Sequence, residues 1–246
     1  MISNQVEGPA WEPLEMAMSQ YLKGDRTAKV KVHNSFGDTE YLWMQYFFRA
    51  PEAFSILEHK ALALAHGRVL DVGAGSGSFS LWFQGHGFDV VALDIAEGAV
   101  AAMQQRGIND TRCGDYFEFE DESRFDTLFL MMNGIGIACD QSGLYRFFEH
   151  AHRLLRPGGC IILDSSDLHV QSEEGLFHLQ TRAVPDDLYG SVLYQLHYGA
   201  CRGKAYRWLF ADPELLRTVA LECGFLATVV VEEQNSHYLA YCRAFT

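Results

Sequence analysis

Residues 69–77, Val-Leu-Asp-Val-Gly-Ala-Gly-Ser-Gly, decide the fold, because a short apolar strand runs directly into a turn with three glycines. Residues 78–84 follow with a helical pattern, so the turn brings the start of a helix close to the end of a strand. Glycines permit positive φ and close approach of a ligand to the backbone, and the first N–H groups of a helix have no intrahelical partner. The stretch therefore predicts a turn that binds a cofactor.

The chain continues from this turn as an alternation of apolar strands, turns and helices. Runs typical of strands are found at 69–72, 90–93, 127–131 and 160–163, with a weaker one before Asp115. Helical patterns lie between them at 78–84, 95–106 and 142–155. Strands that are apolar almost throughout and alternate with helices are typical of a parallel sheet covered on both faces. The sequence therefore predicts an α/β fold with a doubly wound, mostly parallel sheet.

The two ends of the chain depart from this alternation. Residues 1–66 contain a helical pattern, a strand-like stretch and an aromatic block at 41–48, and they are interpreted as an N-terminal helical and aromatic cap. Residues 67–246 then form the main domain, in which the stretch near 189–211 is predicted to be an inserted β-hairpin. The cap and the hairpin are both candidate lids, with core packing as the alternative for the cap and a dimer contact as the alternative for the hairpin.

The spacing of the glycines distinguishes between two classes of cofactor. A dinucleotide site has the pattern G-x-G-x-x-G, but here Ser78 stands where the third glycine would fall. Gly77 arrives one residue earlier, which gives G-x-G-x-G. Asp71, two residues before Gly73, is suited to bind a ligand ammonium, and a nicotinamide dinucleotide has no amino-acid portion that would use it. The pattern therefore favours a cofactor that has an amino-acid portion.

Two further acids follow the next strands at positions that suit an adenosine portion. Asp94 ends the second strand, about 20 residues after Gly73, and an acid there can accept both hydroxyls of a ribose. It is equally suited to cap the helix that follows. Asp115, after the third strand, can accept from an adenine amino group while the adjacent backbone N–H, at Tyr116, reaches a ring nitrogen. A solvated loop carboxylate is the alternative for Asp115.

With these motifs, the sequence resembles the class I S-adenosylmethionine-dependent methyltransferases over residues 68–246. The matching motifs are 71–77, 92–95, 114–116, 125–130 and Leu154-Leu155-Arg156-Pro157-Gly158-Gly159, which is similar to the turn before the family's fifth strand. The resemblance implies a Rossmann-like seven-stranded sheet of order 3-2-1-4-5-7-6 whose last strand is antiparallel. It also implies S-adenosyl-L-methionine as cofactor, with its methionine end at Asp71 and the glycine turn, its ribose at Asp94 and its adenine at Asp115.

The remaining candidates lie on the side of the methyl acceptor and in the cap. Asn133 follows the fourth strand and either contacts the cofactor or orders a turn, and Arg49 is a candidate to pair with a carboxylate of cofactor or substrate. His169, after the fifth strand, has an ordinary pKa suited to removing a proton from an acceptor, with Asp167 to orient it; a polar loop is the alternative. The predicted cofactor-binding residues are Asp71, Gly73, Ala74, Gly75, Gly77, Asp94, Ile95, Asp115, Tyr116, Asn133 and Arg49.

Composition argues against several function classes. Lys and Arg number 19 and Asp and Glu 32, which gives a formal net charge of −13, and no basic cluster is visible, so a nucleic-acid partner is not expected. The six cysteines are far apart with no C-x-x-C pair, so no metal site is predicted. The sequence shows no signal peptide and no apolar run of membrane-spanning length, and a cytoplasmic location without a membrane partner is expected.

Together these features predict a methyltransferase that acts on an O, N or other nucleophile of a small molecule. The first alternative is a non-catalytic protein that binds S-adenosylmethionine or a nucleotide for regulation. The second is an NAD-linked oxidoreductase. A homodimer is a further expectation, because the aromatic hairpin would suit a dimer contact. Nothing in the sequence determines the acceptor atom.

Overall fold

The protein is described by a computed structural model that covers residues 6–168 and 189–245. Its strands are β1 (Val6–Gly8), β2 (Lys29–Asn34), β3 (Thr39–Trp43), β4 (Arg68–Val72), β5 (Asp89–Asp94), β6 (Thr111–Cys113), β7 (Phe125–Leu130), β8 (Leu155–Ser166), β9 (Ser191–Tyr198), β10 (Cys201–Gly203), β11 (Tyr206–Leu209), β12 (Phe225–Glu232) and β13 (His237–Ala244). Its helices are α1 (Glu12–Leu22), α2 (Met44–Phe47), α3 (Ile56–Leu64), α4 (Ser78–Gly85), α5 (Glu97–Gln105), α6 (Gln141–Leu154) and α7 (Pro213–Glu222). Short 3-10 turns lie at Pro51–Ala53, Tyr116–Glu118 and Gly134–Ala138.

The main sheet has seven strands in the order β12-β13-β8-β7-β4-β5-β6. The five strands from β4 to β8 are parallel, whereas β13 runs antiparallel to both β8 and β12. Numbered within this sheet from β4, the order is 3-2-1-4-5-7-6. The order reverses between β4 and β7, and in open α/β sheets ligands bind outside the carboxyl ends of the strands at such a switch point. The predicted Rossmann-like α/β fold is confirmed.

Helices bury both faces of this sheet. Phe147 and Phe148 of α6 and Val219 of α7 are fully buried in the core cluster on one face, and Leu57 of α3 and Phe83 of α4 are fully buried in the cluster on the other. The start of α3 is fixed by a reciprocal capping box between Ser55 and Glu58. The start of α7 is capped by the Asp212 side chain, as expected for an aspartate before a proline. Local capping of the helices and the apolar strands beneath them together explain how helices cover both faces of the main sheet.

A second sheet joins strands from the N-terminal segment to strands from residues 191–209. Its strand order is β1-β10-β9-β2-β3, with β11 also paired to β9. Strand β2 pairs antiparallel with β9 over a separation of more than 160 residues in the chain, with Lys31 opposite His197. The predicted N-terminal cap and the predicted hairpin near 189–211 therefore contribute strands to one sheet, and the described part of the cap contains strands β1, β2 and β3 beside helices α1, α2 and α3. The division of the chain at residue 66 remains a prediction, and this sheet crosses it.

The two faces of the second sheet differ in character. Val30 and Leu196 are buried on its inner face, in a cluster with Met18 of α1 and Ala99 of α5. The outer face carries Lys29, Lys31, His33, His197 and Arg202, which strand pairing brings together. Burial, followed by the charges of Lys31 and Arg202, holds the pKa of His33 below its ordinary value. The sheet thus presents an apolar face to the main domain and a basic face to the opposite side.

No helix within residues 6–168 or 189–245 has the length and apolar character needed to cross a membrane.

The second sheet contacts the main domain at the 3-10 turn after β7. A Cβ atom placed on Gly136 would lie only 2.0 Å from Nε1 of Trp208 in β11, so the indole ring packs directly against this glycine. That contact holds the second sheet over the carboxyl ends of the main strands.

Gly136→Ala tests this contact between the two layers. The added methyl group has no room beside the Trp208 ring, and we expect the free energy of unfolding to fall by about 1–3 kcal/mol, as for an overpacked core. Urea unfolding followed by circular dichroism measures the change. The control is Gly85→Ala at the exposed end of α4, where a Cβ meets no atom within 4 Å and the stability should change by less than about 1 kcal/mol. Equal effects of the two substitutions would contradict close packing at Gly136.

Candidate active site

The glycine turn between β4 and α4 lies at the switch point of the main sheet. Gly73 and Gly75 have φ of +68° and +59°, and Gly77 has φ of +77° at the N-cap of α4. A side chain at position 77 would also collide with Ile108, whose Cδ1 would lie 2.1 Å from the new Cβ. The backbone N–H groups of Gly73 and Ala74 donate to the Leu93 carbonyl at 2.8 and 3.0 Å. The turn is therefore tightly folded against the end of β5.

Asp94, the last residue of β5, ties two turns together. Its Oδ2 accepts from the Gly75 N–H at 2.8 Å, and its Oδ1 accepts from the Ala96 N–H at 2.9 Å. Burial raises the pKa of this carboxyl, the two hydrogen bonds oppose the shift, and the charge of Glu15 on α1 adds to it. Asp94 thus orders the residue before α5 without capping the helix itself, whose N-cap is Ala96, and it also contacts the glycine turn.

Asp71 is buried below the same turn, with 2% of its surface exposed. The Ser80 hydroxyl of α4 donates to its Oδ2 at 2.5 Å. Burial raises the pKa of Asp71 to about 7, although the Ser80 hydrogen bond lowers it, and the nearby charge of Asp94 raises it further. The site therefore holds a carboxyl group that is readily neutral near pH 7 and that would gain from a cation beside it.

The predicted adenine side is built differently from the ribose side. The Asp115 side chain accepts from the Phe117 N–H at 2.9 Å and caps a 3-10 turn. Tyr116 is only 4% exposed, and its hydroxyl donates to the Phe147 carbonyl at 3.2 Å, so its side chain belongs to the core and only its backbone is suited to a ligand. Ile95, next to Asp94, is half exposed.

The glycine turn contacts Phe47, in the aromatic block 41–48 of the cap that the sequence offered as a candidate lid. The hydroxyls of Ser76 and Ser78 both donate to the backbone carbonyl of Phe47, at 2.5 and 2.6 Å. Arg106, from the end of α5, donates to the Ser76 carbonyl at 2.6 Å and to both hydroxyls at 2.8 and 3.1 Å. Two serines beside the last glycine of the turn were the available signal, but nothing in the sequence names a backbone carbonyl as their partner.

Arg49, predicted to pair with a ligand carboxylate, is held within the protein. It forms a buried ion pair with Glu58 of α3, and its guanidinium lies 3.9 Å from the Tyr46 ring centroid and 5.5 Å from that of Phe54. A ligand carboxylate would have to share the guanidinium with Glu58. Arg49 thus links the segment around Tyr46 to helix α3, whatever else it binds.

Near the ends of β7 and β8 lies a pair of residues, Asp164 and His237, that the sequence analysis did not identify as candidates. Asp164, 1% exposed, accepts the backbone N–H groups of Met132 and Asn133 at 3.1 and 2.8 Å, and Nε2 of His237 donates to it at 2.7 Å. His237 begins β13 and was not a candidate, because the pairing of β13 with β8 cannot be read from the local sequence. Asp167 follows β8, with its backbone N–H bonded to the Ser236 carbonyl at 2.9 Å. His169 lies outside the described residues.

The donor set suits S-adenosylmethionine. Burial raises the pKa of Asp71 and of Asp94 at neighbouring strand ends, so a cation nearby would stabilise their charged forms, and this cofactor carries an ammonium and a sulfonium. Its ribose hydroxyls can donate to Asp94, and the backbone at the glycine turn is accessible without side chains. Across residues 6–168 and 189–245, no three His, Cys, Asp or Glu side chains converge as metal ligands would.

Comparison with known proteins supports this interpretation. A family model described as a methyltransferase domain matches residues 69–159. The chain is 33% identical to an S-adenosylmethionine-dependent methyltransferase from Bacteroides fragilis, crystallised with S-adenosyl-L-homocysteine, with 99% of each chain covered and a TM-score of 0.85. It is 23% identical to the putative methyltransferase YqeM of Bacillus subtilis over 65% of this chain and 73% of that protein. The cypemycin N-terminal methyltransferase of Streptomyces sp is 28% identical over 40% of this chain and 42% of its own length.

The likeness to the Bacteroides protein extends well beyond the glycine turn. At 33% identity over 99% of both chains, it includes the segments that form the second sheet as well as the main sheet. Several related structures contain S-adenosylmethionine or its product S-adenosylhomocysteine, which agrees with the carboxylates found here. The chain belongs to the S-adenosylmethionine-dependent methyltransferases and is an enzyme that uses S-adenosyl-L-methionine as its cofactor.

Proposed function

We propose that the enzyme transfers the methyl group to a nitrogen, oxygen or other nucleophile of a small molecule. The observation that carries the proposal is the second sheet, which lies over the carboxyl ends of the main strands. Its β11 packs against Gly136 through Trp208, and the neighbouring cap segment is bonded to the glycine turn through the Phe47 carbonyl. A site covered from both of these directions favours a small acceptor over a folded macromolecule.

The inner wall of this cover is aromatic. The Trp11 ring, just before α1, lies 4.4 Å from Tyr206 and 5.9 Å from Trp208 between ring centroids. Farther along α1, Met18 approaches the glycine turn, since its Cε would lie 4.0 Å from a Cβ on Gly75. The aromatic group and the turn are thus connected by one helix. Aromatic walls suit a small organic acceptor, because they exclude water and bind apolar, aromatic or cationic groups.

The basic groups of the second sheet do not favour a nucleic-acid acceptor. Lys29 and Lys31 alternate with Val30, and Val30 is buried toward α1, so the lysines lie on the face turned away from the site. We therefore keep a small-molecule acceptor as the proposal. We also propose a cytoplasmic location and the division into a cover at 1–66 and a cofactor domain at 67–246, with the second sheet shared between them.

The proposed roles of the residues follow their positions. When bound, S-adenosylmethionine would supply an electrophilic methyl group: the lone pair of the acceptor would bond to the methyl carbon while the S–CH3 bond breaks, and S-adenosylhomocysteine would leave with that electron pair. The methionine end is held by Asp71 and residues 73–77. The ribose is held by Asp94 with Ile95, and the adenine by Asp115 with the backbone of Tyr116. Asn133 lies beside the turn, and Arg49 supports the cap. Asp167 and His169 stay candidates for removing a proton from the acceptor.

The names of several relatives favour nitrogen as the first acceptor atom to test. They are a cypemycin N-terminal methyltransferase, a glycopeptide N-methyltransferase and an amino pentose methyltransferase. A screen of primary, secondary and tertiary amines, phenols, alcohols, carboxylates and thiols, read by release of S-adenosylhomocysteine, tests the proposal. Methylation of a small molecule supports it. Methylation of RNA or protein alone contradicts it, and absence of turnover with any acceptor would favour a non-catalytic binding protein.

Asp94→Asn tests the ribose site. The amide keeps one acceptor oxygen for the backbone but loses the charge that strengthens hydrogen bonds to two hydroxyls, so we expect S-adenosylhomocysteine to bind about 10- to 100-fold more weakly. Isothermal titration calorimetry measures the affinity. Asp110→Asn is the control, because Asp110 pairs with Arg112 in an exposed position and should leave the affinity within twofold. If the wild-type protein bound NAD and did not bind S-adenosylhomocysteine, that result would instead support an oxidoreductase.

The raised pKa of Asp71 leads to a pH-dependent affinity. A ligand ammonium selects the charged carboxylate, so binding lowers the pKa of Asp71 from about 7 and releases a proton. Affinity for S-adenosylhomocysteine should therefore rise by about tenfold from pH 6 to pH 8, following the deprotonated fraction. Titrations in buffers with different ionisation enthalpies measure the released proton. Asp71→Asn should bind more weakly and lose this pH dependence, and a variant that keeps it would assign the titration to another group.

A further inference from the structure

The turn that follows β7 is strained at three residues other than glycine. Met132, Asn133 and Cys139 have φ of +66°, +55° and +68°, in the region that side chains disfavour. Such a conformation is disfavoured for residues with side chains and persists only where its surroundings hold it. Strand β7 lies next to β4, so this turn is at the same sheet edge as the glycine turn. The strain is therefore located where the cofactor and acceptor meet.

A single carboxylate holds the first part of this turn. Asp164 Oδ1 accepts from the Asn133 N–H at 2.8 Å, and Oδ2 accepts from the Met132 N–H at 3.1 Å. Both N–H groups belong to residues with positive φ. Asp164 is 1% exposed, and a buried carboxylate is costly unless charge and hydrogen bonds compensate it. The compensating group is the His237 ring, whose Nε2 lies 2.7 Å from Oδ2.

We propose that His237 is a positioning residue for methyl transfer: by pairing with Asp164, it allows a buried carboxylate to hold the strained Met132–Asn133 turn at the active site. The proposal rests on the methyltransferase activity of the family and not on the class of acceptor. It gives a role to a histidine that is distant in sequence from both the glycine turn and the candidate pair Asp167 and His169.

Asn133 is the residue of this turn whose side chain is suited to contact a ligand. The Ser166 hydroxyl donates to Asn133 Oδ1 at 3.1 Å, which fixes the orientation of the amide. Within residues 6–168 and 189–245, the side-chain nitrogen of Asn133 has no hydrogen-bond partner. A fixed N–H donor at the end of β7 is suited to bind the cofactor or the acceptor, and its position depends on Asp164.

Two carboxylates surround the His237 ring. Asp164 approaches Nε2 from β8, and Glu233, from the turn between β12 and β13, lies 3.5 Å from Nδ1. Burial acts to lower the pKa of His237, but the hydrogen bond to Asp164 and the charges of Asp164 and Glu233 outweigh it and raise the pKa. Asp167 is near on the β8 side, where its backbone N–H meets the Ser236 carbonyl. Since both ring nitrogens face carboxylates, the ring acts as a cation and donor rather than as a base for the acceptor.

Hydrogen exchange at the two amides tests the proposal without any acceptor. In His237→Ala, the protection of the Met132 and Asn133 N–H groups should fall at least tenfold, and affinity for S-adenosylhomocysteine should fall several-fold. His237→Gln keeps a neutral hydrogen-bond donor and should restore part of the amide protection and part of the affinity. This variant also provides the test if the alanine variant does not fold. The control is Glu233→Gln, on the other ring nitrogen and 35% exposed, for which both quantities should stay within about twofold.

The pH dependence separates this role from simple packing. Because the pKa of folded His237 is raised, its stabilising charge is present at low pH and is lost as the pH rises through that value. Protection of the two amides, corrected for intrinsic exchange, should therefore decrease above pH 6.5 in the wild type and not in His237→Gln.

A double-mutant cycle shows whether His237 acts through Asp164. The effect of His237→Ala on amide protection should shrink in an Asp164→Asn background, since the carboxylate is then absent. With an acceptor from the screen, kcat should fall in His237→Ala more than KM for the acceptor changes. Unchanged protection in a folded His237→Ala variant overturns the proposal. Lost protection with unchanged ligand affinity and unchanged turnover also overturns it, because the pair would then only stabilise the fold.

Discussion

The hydrogen bond from the Gly75 N–H to Asp94 is the contact on which the site depends. At 2.8 Å it joins the turn after β4 to the end of β5, and the second oxygen of the same carboxylate accepts from Ala96 before α5. One side chain thus aligns the starts of two helices at the switch point of the sheet. A parallel sheet brings strand ends to one edge, but it does not by itself fix the positions of two turns relative to each other. Asp94 fixes them here through its two hydrogen bonds.

The cover is attached to that fixed turn by polar groups. The Phe47 carbonyl accepts from Ser76 and Ser78, and Arg106 donates to both hydroxyls and to the Ser76 carbonyl. Burial lowers the pKa of Arg106, yet a guanidinium stays charged at any ordinary pH, so three oxygen acceptors are needed to compensate it. Such hydrogen bonds depend on geometry more strongly than apolar packing does. The cover is therefore held in a defined register with the glycine turn.

The parts of the fold that could be predicted are those whose cause is local. The strand ending at Val72, the glycines at 73, 75 and 77 and the cap at Asp212 are each specified by neighbouring residues. The pairing of β2 with β9 is not, because Lys31 and His197 are separated by most of the chain and each strand is short. The pairing of His237 with Asp164 is likewise non-local, since 73 residues separate them, whereas Arg49 and Glu58 are nine residues apart and meet only because the chain between them folds back. The sequence also singled out Asp94, which accepts from the Gly75 and Ala96 N–H groups here, whereas its role at the ribose stays a prediction and His169 lies outside the described residues.

The acids of the site also bear on the direction of the reaction cycle. The charge of Asp94 raises the pKa of Asp71, the charge of Glu15 raises the pKa of Asp94, and burial limits how far water can screen these charges. S-adenosylmethionine brings two positive charges to this region, and the product after methyl transfer keeps only the ammonium. The electrostatic part of the affinity is therefore larger for the cofactor than for the product. An acidic site would thus favour exchange of product for fresh cofactor, and the proposed hydrogen bonds to Asp94, which would not involve the sulfur, would hold both ligands in the same place.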